Sequence, residues 1–230
     1  MKPEGAVESI ARFFNDLIGA IVPAGVLALG LLVLHSGPDV KTVLSSLDSA
    51  IGFLCVVGAL FATGHVLLAI FEQILKKPLT KVRLLTEFDE ELAKTHTPFR
   101  LFRRLTEKSE TLKLGENESD WNYRDLRNVA LTVSSTGEGI GRRFMFLSLF
   151  CNGTGTALLL LAADFTLCRW VAPHLLHPYP MAPHWLVQLA ILVAAAGLLF
   201  RRAELFRARA MTAPFAVAVG VIAFERDAKR

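Results

Sequence analysis

Cysteine is scarce in this 230-residue chain, with three in all and no C-x-x-C pair. An odd count without that spacing argues against a disulfide framework and against a zinc ribbon. Signatures of catalysis are missing as well: there is no H-E-x-x-H and no G-x-S-x-G. The Gly-rich stretch Ser134–Gly141 lacks the following lysine of a phosphate-binding loop and follows no strand pattern. His174, His177 and His184 cluster in sequence but have no nearby carboxylate or thiol to complete a ligand set. Four carboxylates between Glu87 and Glu91 read as a solvated helix face. No catalytic residue, no metal and no cofactor is therefore expected. Internal repeats and low-complexity segments are absent too.

The most telling scarcity is of positive charge in two particular places. Four apolar runs, roughly Leu17–Leu34, Ala50–Leu75, Phe144–Leu167 and Trp185–Phe200, divide the chain. Of 25 lysines and arginines, only Lys41 and Arg169 fall between the first and second runs or between the third and fourth. A span needs about 20 mostly apolar residues to cross about 30 Å of hydrocarbon. The first three runs reach that scale, and Pro183 and Trp185 extend the fourth to the interface, where Trp is favoured. Basic segments stay on the cytoplasmic side. The pattern thus predicts an all-α, four-pass membrane protein, with both termini and a central segment in the cytoplasm. Basic residues facing anionic lipid account for the pI near 9.1, so nucleic acid is not expected as a partner. The N-terminal flank carries Glu4, Glu8 and Asp16 beside Lys2 and Arg12, and no clean cleavage site follows. The first run therefore reads as a retained anchor.

Finer organisation follows the same periodicities. Residues 1–16, with Ile10, Phe13 and Phe14 at helical spacing, predict a short interfacial helix. Residues 17–75 form a first transmembrane hairpin kinked at Pro23, and residues 144–200 a second. Between them, 76–143 predicts a helical cytoplasmic segment of three helices. Its stripes are Leu79 to Leu92, then Phe99, Phe102 and Leu105 after Pro98, then Leu126 to Val133. The acidic, turn-forming patch Gly115–Asp120 separates the second stripe from the third, and the glycines at 137, 139 and 141 weaken the third pattern just before the next apolar run. At about 68 residues its own core is marginal, which predicts that it packs on a second copy or on the membrane. In the C-terminal segment 201–230, a short basic helix follows Arg201, and the apolar stretch Ala210–Phe224, too short to span comfortably, predicts a cytoplasmic or interfacial helix with Pro214 in its first turn.

Polar groups inside spans are costly and mark sites of interest. Pro23, His65 and Thr154 each lie 11 residues from a flanking basic residue, Arg12, Lys76 and Arg143. At 1.5 Å per residue that is about 16 Å of depth, near the bilayer midplane. Pro23, His65, Asn152, Thr154 and Thr156 are therefore expected to form one polar layer, as interhelical hydrogen bonds, a cavity or a relay. Asp164 and Arg169 are expected to pair at the outer interface. Arg100, Arg103 and Arg104 are candidates for lipid or phosphate contact. Small residues four apart, at Gly58 and Ala62, Gly153 and Ala157, and Ala190 and Ala194, favour close helix packing.

This plan of four spans, both ends inside and a basic helical segment between spans two and three resembles small four-helix membrane proteins of bacterial anti-phage defence operons. The resemblance implies an oligomeric effector or sensor that permeabilises or monitors the inner membrane. Three functions are compatible with the residues: a homo-oligomeric, channel-like effector controlled by its cytoplasmic segment, a scaffold recruiting a soluble partner, and a lipid-modifying enzyme.

Overall fold

The structure, a computed structural model, describes residues 3–36, 50–86, 88–107, 122–133, 135–180 and 183–228. Every regular element among them is helical: α1 (Pro3–Ser36), α2 (Ala50–Ile70), α3 (Lys76–Lys81), α4 (Glu90–Thr95), α5 (Thr97–Glu107), α6 (Tyr123–Val133), α7 (Ser135–Val171) and α8 (Trp185–Ala228). Four helical stretches are long and apolar enough to cross a membrane: Leu17–Ser36, Ala50–Lys81, Gly137–Val171 and Trp185–Phe224. The chain forms two compact units, the first from Met1–Thr86 with Phe146–Ala203, the second from Glu87–Met145 with Glu204–Arg230.

In the first unit the helices approach through small residues. A Cβ at Gly64 of α2 would lie 2.0 Å from the Ala20 carbonyl oxygen of α1, so only glycine permits this contact. Ala20 and Ala24 are buried beside it. Pro23 packs its ring on Gly153 of α7, where an added Cβ would meet the Pro23 Cγ at 2.9 Å. Association in lipid depends on such packing, because lipid tails are as apolar as leucine. Nearer the α2 terminus, Phe71 stacks on Phe200 at 5.5 Å, within a cluster that includes Leu79, Leu85 and Ala196.

The stripe Leu79–Leu92 does not form the single helix that its spacing predicts. A π turn over Phe71–Leu75 passes into α3, which stops at Lys81. Arg83 then adopts φ 60, while Leu84 N–H donates to Leu79 O and Arg83 N–H to Thr80 O, both at 3.0 Å. This pair of bonds is a Schellman stop, usually built on glycine. Leu79 and Leu85 bury in the first unit, Val82 is exposed and Phe88 packs in the second.

The second unit surrounds an aromatic core. Phe99, Phe102 and Tyr123 meet Phe215 of α8 at centroid distances of 5.1, 5.5 and 5.2 Å, with Leu126, Ala130 and Ala218 around them. Asp89 caps α4 by accepting from Leu92 N–H, and Asn122 caps α6 by accepting from the amides of Arg124 and Asp125. Phe215 and Ala218 of the C-terminal helix thus complete the core of this unit. Three expected boundaries also shift. Helix α1 runs unbroken from Pro3 through Pro23, so residues 3–16 are not a separate helix. Helix α7 begins at Ser135 and takes in Gly137, Gly139 and Gly141 without interruption. Helix α8 carries Pro214 deep inside, not in a first turn. At Pro23, at Gly137–Gly141 and at Pro214, cooperative helix propagation outweighs a local breaker. Residues 37–49, the patch 115–120 and the side chains of Ile10, Phe13 and Phe14 lie outside the described residues.

Candidate functional site

The residues expected to share one polar layer separate by the direction in which they face. Pro23, Asn152 and Thr156 are buried, and Thr156 donates its hydroxyl to Asn152 O at 2.8 Å. Asn152 Oδ1 and Thr154 Oγ1 are buried without a hydrogen-bond partner among the described residues. His65 instead lies on an exposed face of α2, where its ring meets Phe61 edge-on at 4.5 Å. Counting residues from a charge boundary gives depth but not azimuth. Gly64 and Leu67 are the only buried residues of α2, which leaves His65 directed outwards.

That outward face has a pattern. Ile51, Cys55, Gly58, Ala62, His65 and Ala69 are all exposed, and their spacing alternates four and three. An added Cβ at Gly58 would meet nothing within 4 Å. Such 3,4 spacing keeps one seam on one side of a helix, and small residues along it admit another backbone closely. The Gly58–Ala62 pair is visible in the sequence, whereas the full seam emerges only when the buried side of α2 is known.

At the far end of the first unit, Asp164 pairs with His35 of α1, not with Arg169. Five residues along a helix turn Arg169 roughly 140° away from Asp164, whereas His35 Nε2 lies 2.8 Å from Asp164 Oδ2. The His35 Nδ1–H donates to Leu175 O at 3.0 Å. Cys168, one turn beyond Asp164 on the same face, directs its thiol to Asp164 Oδ1 at 3.8 Å. The segment after α7 closes this end: His177 N–H and the Tyr179 hydroxyl donate to the terminal α1 carbonyls of Leu34 and Val33, at 2.8 and 2.7 Å. Among the described residues His35, Asp164 and Cys168 are the one group of three possible metal ligands, with donor atoms within 4.8 Å of one another. The loop histidines form no such group. Depth reckoned from the outer boundary would have brought His35 and Asp164 to one level, and the i, i+4 spacing of Asp164 and Cys168 would have set them on one face.

The second unit holds a polar arrangement that the sequence did not single out. Pro214 has no N–H for the Ala210 carbonyl four residues earlier. Arg127 of α6 fills that place, donating Nε–H to Ala210 O at 3.2 Å, and the Tyr123 hydroxyl donates to Met211 O at 3.1 Å. Burial lowers the Arg127 pKa, partly offset by the Tyr123 charge. Burial raises that of Tyr123 to about 12. Arg100, Arg103 and Arg104 sit on the exposed side of α5, opposite buried Phe99 and Phe102, and Arg103 pairs with Glu107.

No protein family, no curated protein and no solved structure matches this chain.

Proposed function

We propose that this chain is a multi-pass protein of a bacterial inner membrane, with both termini and residues 76–143 in the cytoplasm. It acts as a homo-oligomeric, non-enzymatic effector of the channel-like kind, controlled by its cytoplasmic helical segment, in a role such as antiviral defence. The observation that carries the oligomer is the α2 seam. Lipid cannot satisfy the imidazole of His65, and a polar group left unbonded in hydrocarbon costs several kcal/mol. The same face presents Gly58, Ala62 and Ala69, which allow a second α2 to come close enough to cover it. The skew of 23 basic residues to the N-terminal, central and C-terminal segments supports the orientation.

Cys55 lies on this seam and is exposed, so it serves as the probe. With Cys151 and Cys168 replaced by serine, oxidation in native membranes is expected to crosslink two copies through Cys55. Gly58→Ile and His65→Leu are expected to reduce that crosslinking at least fivefold. A monomer in lipid nanodiscs that never crosslinks, together with no ion flux from liposomes under any condition, refutes the reading.

The exposed arginines of α5 favour a second reading, a scaffold that recruits a soluble partner or lipid phosphate. Charge reversal at Arg100, Arg103 and Arg104 is then expected to abolish recruitment while membrane insertion and Cys55 crosslinking persist.

A further inference from the structure

We propose that His35, Asp164 and Cys168 bind a zinc-class divalent cation at the end of the first unit where α1 and α7 finish. Three observations converge on it. The first is the donor set: one imidazole nitrogen, one carboxylate and one thiol, within 4.8 Å of one another. Tetrahedral zinc holds such ligands at about 2.0–2.3 Å, which separates them by roughly 3.3–3.8 Å. Cys168 Sγ and Asp164 Oδ1 already stand 3.8 Å apart, and the 2.8 Å contact between His35 and Asp164 needs only a small opening.

The second observation is the orientation of His35. A carbonyl only accepts, so the Nδ1···Leu175 O contact fixes the proton on Nδ1. Nε2 then faces the other two donors as the metal-binding nitrogen. Metal-ligating histidines commonly have this outer hydrogen bond, which sets both tautomer and ring direction. Here the carbonyl comes from a segment that is itself anchored to α1 through His177 and Tyr179, so the ring is held before any cation arrives.

The third observation is charge and access. Asp164 as carboxylate and Cys168 as thiolate offset the two positive charges of the cation, so the filled site is neutral. In the structure as it stands, the short His35–Asp164 contact holds one proton between nitrogen and oxygen, and the thiol holds another. Binding forms metal–nitrogen, metal–oxygen and metal–sulfur bonds and releases these two protons to solvent. The His35 and Asp164 side chains retain 30% exposure each, which leaves a fourth position open to water or to a ligand. Three protein ligands with an open position is the arrangement of reactive rather than purely structural zinc sites. A thiolate with an imidazole and one carboxylate also favours zinc or cobalt over calcium or magnesium, which prefer all-oxygen shells.

The test uses the full chain in lipid nanodiscs with Co2+ as a spectroscopic stand-in for zinc. One equivalent is expected to give the visible bands of tetrahedral cobalt and a thiolate-to-cobalt charge-transfer band, both displaced by Zn2+. Cys168→Ser is expected to remove the charge-transfer band. Asp164→Asn and His35→Ala are expected to weaken binding at least tenfold, and His174→Ala and His184→Ala to leave it unchanged. A charge-transfer band that survives Cys168→Ser, or binding lost with His174 or His184, overturns the assignment. Where a variant does not fold, the wild-type chain gives the answer by alkylation. Zn2+ is expected to slow modification of Cys168 at least tenfold while Cys55 reacts as before. Unchanged Cys168 reactivity at saturating Zn2+ overturns the site.

Discussion

Replacing Arg127 with Met tests whether the proline in α8 is accommodated by side chains of α6. The substitution keeps most of the aliphatic stem and removes the Nε–H that reaches Ala210 O at 3.2 Å. Ala210 is fully buried, so water does not replace the lost donor. Leaving a buried acceptor unsatisfied costs about 1–3 kcal/mol, and bonds from charged groups lie toward the upper end. A loss of about 2 kcal/mol in the second unit corresponds to roughly 30-fold faster amide exchange wherever exchange proceeds by opening of that unit. The background Pro214→Ala gives a more stringent test. An alanine there supplies the missing N–H to Ala210 O, so the arginine no longer fills a vacancy. Arg127→Met should then cost about 1 kcal/mol or less, giving a coupling of about 1 kcal/mol across the double-mutant cycle. Hydrogen–deuterium exchange of peptides from α6 and from residues 204–228, in nanodiscs, reads all four proteins. Additive effects, or an Arg127→Met protein whose exchange changes less than twofold, would refute this account of how Pro214 is accommodated.

Other outcomes follow from the same geometry. Gly64→Val should separate α1 from α2, because its Cβ would meet the Ala20 carbonyl at 2.0 Å. Overpacking of this kind costs about 1–3 kcal/mol or more, visible as a lowered thermal midpoint in detergent that Gly25→Val, with nothing within 4 Å, does not share. Tyr123 has a folded pKa raised from 10.0 to about 12, so its contribution to stability is complete below pH 10 and is lost as pH rises toward 12. Alkaline unfolding of the second unit should therefore steepen across that window, and Tyr123→Phe should flatten it. Arg83→Gly should stabilise the turn after α3 by about 0.5–1 kcal/mol, since glycine adopts φ 60 without steric penalty. Slower exchange of the Leu84 and Leu85 amides would show it, and unchanged exchange would count against the Schellman reading.

Elements whose information is local were legible in advance. The apolar runs produce four helices long enough to cross a membrane, Phe99 and Phe102 share the buried stripe of α5, and Leu126 and Ala130 share that of α6. Helical periodicity carries that information within about a turn of each residue. Boundaries were less legible. Leu79 and Leu92 share one period, yet Leu79 is buried and Leu92 exposed, because the left-handed Arg83 ends the helix between them. Local glycines and prolines also mislead where a long helix gains more from continuing than from stopping, as at Gly137–Gly141 and Pro214.

The sequence alone determined the helical class and the length and spacing of the apolar helices, since hydropathy and period are properties of consecutive residues. Tertiary structure decided which side of each helix is covered. It turned His65 outward beside Gly58 and Ala62, gave Asp164 to His35 instead of Arg169, and placed Phe215 in the core that residues 87–145 lacked. The physical reason is that a helix specifies the depth and angle of its side chains only relative to its own axis. The azimuth that faces a neighbour is chosen by the contacts that permit closest approach, here Gly64 on Ala20 and Gly153 on Pro23.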